Sequence, residues 1–332
     1  MFQICGIEVE AGTKKSGAME ICKGIDGQAM TMPFTVVNGA EDGPVLLLDG
    51  CIHGDEPEGP VAILRLIKEV DPKELKGTII AVPAVNTAAL ANGKRGNPRD
   101  EHNYDLNRIY PGNPEQFLTG RLANKHFEEF LKKANLEISL HGGGNHSFMC
   151  PAIFNSGIPE SLELAKAMGE DWKIVMTSLG DASPAGQGKK IGVAGITAEI
   201  GGTGGAIPEV FNKSVNTLVK AFYNVLYHYK MLPGTPKYCT EWWFGHQETV
   251  YAANDGIIDP VYENTLGKML EPGTPILRTV DLYGETVQEV KAPCVGIPFG
   301  IHTYPSVTTG DWMLFFAAGK KVTDLQAAAK EK

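Results

Sequence analysis

A histidine and a glutamate three residues apart are the first residues in this chain with the types and spacing for chemistry. They lie in the stretch CIHGDEPEGP, where His53 and Glu56 follow the apolar run Val45-Leu46-Leu47-Leu48 and precede the helical pattern Val61, Ile63, Leu64, Leu66 and Ile67. That order reads as a strand, a tight turn and a helix start. An imidazole and a carboxylate so close together on a turn can reach one cation, and α/β folds build their sites at strand ends. His141 ends a second apolar strand, LEISLH, and three glycines follow it. If the two strands are neighbours, His141 arrives beside His53 and Glu56. Two imidazoles and one carboxylate with an open position are the donor set of a catalytic zinc site, so one Zn²⁺ per chain is expected. The glycines let backbone pass close to metal or substrate.

Glu199 stands near the end of the apolar strand in GITAEIGGTGG, which glycines follow. Apolar strands rarely finish on a carboxylate without a partner. A zinc hydrolase needs a carboxylate that is not a ligand, to take the proton from water and return it to the leaving amine. Glu199 is the candidate, with a structural ion pair as the competing reading. In YDLNRIYPG (Tyr104 to Gly112), Asn107 and Arg108 suit a substrate carboxylate, which the guanidinium grips in bidentate fashion while the amide adds a donor. The bland alternative is a solvated basic loop. Arg95 and Arg99, in KRGNPRDEHN, are within loop reach of the same place, and one of them is the candidate to stabilise the oxyanion formed when water attacks a carbonyl.

Neighbouring residues have plainer readings. Asp55 and Glu58 suit an N-cap and its capping-box partner, with Pro57 in the first helical turn, which would fix the angle of Glu56. Cys51 reads as a small buried residue. His102, His126, His146, His228, His246 and His302 show no ligand spacing; His146 is nearest the site and within reach of substrate, with a loop histidine without a role as the favoured reading. Neither GxGxxG nor GxxxxGK[ST] occurs, so nucleotide binding is not expected.

The elements that must position these residues follow from hydrophobic periodicity. Strands are expected at 45–50, 78–82, 136–141, 173–177 and 195–200, with a strand or loop near 148–154. Helices are expected at 58–70, 116–133, 160–170 and 208–230. The class is α/β, a parallel or mixed sheet flanked by helices. In the last helix Val210, Phe211, Leu218, Phe222 and Leu226 recur at helical spacing and face a core. Residues 1–40 read as an N-terminal β extension of short strands with glycine turns. Pro233, Gly234 and Pro236 break the pattern, which bounds a catalytic domain at 41–235. A small all-β domain, barrel or sandwich, then occupies 236–332 in TVYAANDGIIDPVY, EPGTPILRTVDLYGETVQEVKAP and TTGDWMLFFA. The tail AAAKEK reads as frayed.

Composition narrows the function classes. The 332 residues are 43% hydrophobic and 21% charged, as in a soluble globular protein. A formal charge of −9 argues against a nucleic-acid surface, which needs a basic stripe. No run approaches the roughly 20 apolar residues of a membrane span, and the first residues lack the pattern of a signal peptide, so no membrane association and a cytoplasmic location are expected. Six scattered cysteines without a CxxC pair argue against a disulfide framework. Whether copies associate as a homo-oligomer is left open.

HGDEPEG, DLNRIYPG, SLHGGG and AEIGG, in that order, together resemble the succinylglutamate desuccinylase and aspartoacylase family, a branch of the zinc-carboxypeptidase-like hydrolases. The similarity spans roughly 45 to 230, and the C-terminal β part looks like that family's small β domain. The resemblance implies that His53, Glu56 and His141 are zinc ligands, that Glu199 is the general base, and that Asn107 with Arg108 holds the substrate's carboxylate. KRGNPRD is similar to the family pattern in which an arginine precedes Asn-Pro, which favours Arg95 over Arg99 as the carbonyl-polarising group. The expected function is a zinc-dependent amidohydrolase, a deacylase that cleaves the amide bond of a small N-acyl amino acid or related N-acyl compound with metal-activated water. The same chemistry on a peptide, as a metallo-carboxypeptidase or peptide amidase, is one alternative. A nonenzymatic binding protein stabilised by a structural metal is the other.

Overall fold

Eleven strands hydrogen-bond into one mixed sheet in the computed structural model of the chain, which describes residues 1–177, 179–259 and 265–331. A hairpin of β1 (Phe2–Ile4) and β2 (Ile7–Val9) precedes it. The N-terminal part of the sheet is β3 (Thr13–Lys23), β4 (Ala29–Asn38), β5 (Glu41–Gly50) and, after helix α1 (Glu58–Glu69), β6 (Lys76–Val82). β3 and β4 are 11 and 10 residues long and extend the main sheet through an antiparallel pairing of β4 with β6, in place of the short strands expected there. Next come α2 (Thr87–Asn92), α3 (Leu118–Glu129), β7 (Leu136–His141), β8 (Ser147–Asn155), α4 (Pro159–Ala167), β9 (Ile174–Met176), α5 (Pro184–Lys190), β10 (Ala194–Gly202) and α6 (Pro208–His228). The segment near 148–154 is thus a strand. The two short helices α2 and α5 had no counterpart in the sequence reading, because TAALAN and PAGQGKK are too short and too poor in large apolar side chains to show a period.

The centre of the sheet runs β10, β7, β5, β6, all parallel, with Leu46 opposite Leu136, Leu48 opposite Ile138 and Gly50 opposite Leu140. Parallel strands need cover on both faces, and two apolar layers supply it. One joins α1, α4 and α6 to the sheet through Ile63, Leu66, Leu162, Leu218, Phe222 and Leu226. The other packs α3 and the β1–β2 hairpin through Ile4, Val9, Leu122, Phe127 and Phe130.

Beyond α6 the chain forms β11 (Trp242–Tyr251), β12 (Gly256–Asp259), β13 (Pro275–Val280), β14 (Thr286–Lys291), β15 (Gly296–His302), β16 (Ser306–Val307), β17 (Trp312–Val322) and α7 (Leu325–Lys330). Of the stretch 249–262 read as β-rich, residues 260–262 lie outside the described residues. These strands divide between two sheets. β14, β13, β12 and β16 make a four-stranded antiparallel sheet, whereas β11, β17 and β15 join the main one. β11 pairs with β9, β17 with β11, and β15 with β17. β15 then returns to β8, with Gly300 opposite Met149, while the second half of β8 pairs with β9. Five strands, β8, β9, β11, β17 and β15, therefore close into a ring. Up to residue 331 the tail forms α7 and does not fray: Asp324 caps the helix by accepting from the Gln326 and Ala327 amides, and Leu325 and Ala328 are buried in the core; Lys332 lies outside the described residues.

Candidate active site

Parallel strands deliver their C-terminal ends to one edge, and the candidate residues meet there. His141 is the last residue of β7 and lies opposite Glu199 of β10. His53 follows β5 by three residues, after a sharp turn at Cys51, whose φ is 55°. A left-handed residue with a Cβ costs about 1–2 kcal/mol. The turn is tied down on both sides, since the Asn86 amide donates to the Cys51 carbonyl (3.1 Å) and the Gly54 amide to the Lys94 carbonyl (2.9 Å). Residue 54 must be glycine, because a Cβ there would run into the backbone of Ala89 in α2. Cys51 itself is fully buried, as its sequence context suggested.

Three ligand atoms converge in the floor of this edge. His53 Nδ1 lies 2.8 Å from Glu56 Oε1, His141 Nδ1 lies 3.0 Å from Glu56 Oε2, and the two Nδ1 atoms are 3.2 Å apart. All three side chains are buried, and the ligand atoms lie within 4.8 Å of one another. The donor set fits a borderline divalent cation such as zinc. Apart from its close contact with His141, the buried Glu56 Oε2 has no hydrogen-bond partner among the described residues, and the cluster brings more lone pairs together than its protons can satisfy. Burial alone would raise the Glu56 pKa, but the adjacent His53 and His141 outweigh it and hold the carboxyl well below the usual range.

The other ring nitrogens are held from behind. His53 Nε2 donates to Asp105 Oδ1 (3.0 Å), which also accepts from the Asn107 amide (2.9 Å). Asp105 Oδ2 accepts from Arg95 Nη2 (2.9 Å), and Arg95 Nη1 stands 3.6 Å from Glu56 Oε1. His141 Nε2 lies 3.4 Å from Ser139 Oγ, which donates to Asp49 Oδ1 (2.7 Å). Such backing contacts fix the tautomer and orientation of metal-binding imidazoles. Asp49 in turn adjoins two more fully buried titratable groups, Glu137 and His126, the latter bonded to the Tyr110 hydroxyl (3.0 Å).

Above the floor lies a cavity of about 610 Å³, lined among others by His53, Glu56, Arg95, Asn107, Arg108 and Glu199. Glu199 is half-buried. Burial pushes its pKa up to about 7, against the opposing field of His141. Arg99 is exposed and is not among the lining residues; its amide closes a turn on Asn97 Oδ1. His146, in the turn before β8, lines the cavity, edge-on to Tyr304 with ring centres 5.3 Å apart.

Asp55 and Glu58 are not the expected capping pair. The N-cap of α1 is Pro57, without a side-chain cap bond. Asp55 Oδ2 instead accepts from the Asn145 amide (3.2 Å) and Glu58 Oε1 from the Gly202 amide (2.7 Å), so the two acids pin the loops after His141 and Glu199 to the His53 turn. Sequence reasoning also gave no role to Asp105, although it stands in the motif DLNRIYPG. The need of His53 for a second-nitrogen partner was the signal available. Met149, Phe154, Trp312 and Phe315, which line the cavity from the ring strands, carry no signal in sequence because they come from two distant stretches.

Residues 42–226 match the succinylglutamate desuccinylase/aspartoacylase catalytic domain family. Over 217 residues the chain is 32% identical to N-alpha-acetyl-L-2,4-diaminobutyric acid deacetylase of Halomonas elongata, a stretch that covers 62% of this chain and 60% of that protein's length. Among solved structures, the product-bound ectoine utilization protein EutE of Ruegeria pomeroyi is similar with a TM-score of 0.81 at 24% identity, over 94% of this chain and 97% of that one. A succinylglutamate desuccinylase/aspartoacylase of Rhodobacter sphaeroides gives 0.82 at 23% identity, over 95% and 99%. At these identities the structural likeness is one of fold.

Proposed function

Because the chain belongs to the succinylglutamate desuccinylase/aspartoacylase family, we propose that it is a zinc-dependent deacylase that cleaves the amide bond of a small N-acyl amino acid. The observation that supports this most is the meeting of His53, Glu56 and His141 in the floor of a cavity, with the non-ligand carboxylate of Glu199 opposite His141.

His53, Glu56 and His141 hold the metal, which when bound supplies Lewis acidity to the amide carbonyl and to the attacking water. Glu199 accepts the proton of that water and returns it to the leaving nitrogen. A carboxyl raised to about 7 is suited to both directions of transfer, since efficient proton shuttles titrate near the working pH. The Arg95 guanidinium, fixed by Asp105, bears part of the oxyanion charge. Arg108 and Asn107 at the cavity wall take the substrate's carboxylate, a pairing that planar guanidinium geometry favours.

The peptidase reading fares less well: strands β8, β11 and β17 wall one side of the cavity, and the relative that is 32% identical is named for a small N-acetyl amino acid. A purely structural metal fits less well too. Structural zinc sites close with four ligands, and only three gather among the described residues.

The test is a panel of N-acetyl, N-formyl and N-succinyl amino acids with short peptides, incubated with zinc-loaded protein while released amine is measured. The wild type should release amine from an N-acyl amino acid. Glu199→Gln should still bind one zinc per chain yet lose turnover by about 10²–10⁴-fold. Near wild-type turnover in that variant would remove Glu199 from the mechanism, and release from peptides alone would move the protein to the peptidase class.

A further inference from the structure

The cavity has two chemically different sides. Arg95, Arg108 and Asn107 give it a cationic and polar part, whereas the ring strands line it mainly with Met149, Phe154, Trp312 and Phe315, Ser147 and Gln247 being their polar members. Trp312 and Phe315 stack face to face, with centroids 4.0 Å apart and planes 7° from parallel. Phe299 stacks behind Phe315 at 6.0 Å and meets Phe154 edge-on at 6.1 Å. These aromatics stand on β8, β15 and β17, strands of the closed ring, so hydrogen bonds on both sides of the wall hold it in place. Trp312, Phe315 and Phe154 are only half-buried, although they line a concave site. The carboxylates that line the cavity, Asp55, Glu56 and Glu199, belong to the His53 turn and the end of β10. Among the described residues none belongs to a ring strand, so these strands set no lining carboxylate against the wall to pair with an ammonium group.

We propose that the preferred substrate is an N-acyl amino acid with a planar apolar group of about phenyl size, seated on the Trp312–Phe315 wall while its carboxylate is held on the arginine side. This rests on the deacylase reading of the same site. An aromatic face rewards a flat apolar partner through offset stacking as well as burial. A substrate with a charged amine in that position would lose the hydration of its ammonium against indole and phenyl edges without gaining a carboxylate. The chain therefore differs in substrate class from its relative named for diaminobutyric acid. The planar group has two sources, the acyl chain or the amino-acid side chain.

Two substrate series separate them. One holds glycine constant and varies the acyl group from acetyl to benzoyl and phenylacetyl. The other holds acetyl constant and varies the amino acid from glycine through aspartate and 2,4-diaminobutyrate to phenylalanine and tryptophan. In one series kcat/KM should rise at least about tenfold towards the aromatic member, the usual scale of apolar pocket discrimination. The series in which it rises identifies the source. Trp312→Leu and Phe315→Ala should collapse that aromatic-to-small ratio towards one. Equal kcat/KM across both series, or a preference for aspartate or diaminobutyrate, overturns the proposal from the wild-type data alone. If no amide is cleaved, the deacylase reading fails, and the wall is judged by calorimetric binding of N-benzoylglycine and N-acetylphenylalanine against N-acetylglycine. Tighter binding of an aromatic ligand by at least about tenfold supports the wall, and equal affinities overturn it.

Discussion

One carboxylate, Asp105, sets three groups at once: the imidazole of His53, the amide of Asn107 and the guanidinium of Arg95. Burial would raise its pKa, but the bond from His53 and the charge of Arg95 hold it far below the usual carboxylate range, so it is an anion at neutral pH. Asp105→Ala should lower zinc affinity by about 10–100-fold, the usual effect of losing such a backing contact, measured by competition with a chelator of known affinity. Unchanged affinity would mean that packing alone orients His53. Turnover should fall further than metal loss explains, because Arg95 loses its anchor as well. His53, Glu56, His141 and Glu199 were legible in the sequence because each ends or follows an apolar strand, where a polar side chain needs a reason. Asp105 was not, since in a loop a carboxylate is the common case. Asp55 and Glu58 were misread for a related cause: S/T/D-x-x-E spacing is local, and their true partners, Asn145 and Gly202, lie far away in sequence.

At the scale of elements, β5 and β7 carry a buried acid pair, Asp49 and Glu137, behind the His53–Glu56–His141 cluster. Burial raises Glu137 well above its ordinary value, helped by the charge of Asp49, so it stays protonated. Burial also raises Asp49, from 3.8 to about 6, against the lowering effect of the Ser139 hydroxyl and His141. His126, another buried neighbour, is pushed down to about 3 by burial and is neutral. A folded-state pKa above the unfolded one means the native state holds the proton more tightly. The stability this confers is present in full below about pH 3.8 and is lost as pH rises through about 6. Asp49→Asn mimics the protonated form throughout. Urea unfolding should therefore show the variant gaining on the wild type between about pH 4 and 7, by an amount on the order of 3 kcal/mol. A difference that stays flat across that range would show that Asp49 titrates normally. These strands were readable from their apolar runs, and their parallel adjacency was a sound inference. The partners of β11, β15 and β17 were not readable, because alternation marks a strand without saying which sheet it will enter.

For the whole molecule, the ring joins the two halves of the chain into one folding problem. Trp243, Phe299 and Ala317 share an apolar cluster with Met149, Ala152, Ile174 and Met176, so neither set is covered without the other. A chain that stops at residue 235 should expose the outer edges of β8 and β9 together with that cluster. We expect it to be insoluble or molten, with strong binding of a hydrophobic dye and no cooperative thermal transition; a soluble, cooperatively melting fragment would show that the catalytic sheet is self-sufficient. Ring closure also settles where the sheet remains unfinished. An open sheet has two terminal strands that offer unpaired backbone to any passing chain, but here β15 is paired on both sides, and among the described residues only β3 ends the sheet. That strand reads TKKSGAMEICK, with Lys14, Lys15 and Lys23 exposed along it. Protection against runaway strand addition is thus divided between topology at one end of the sheet and positive charge at the other.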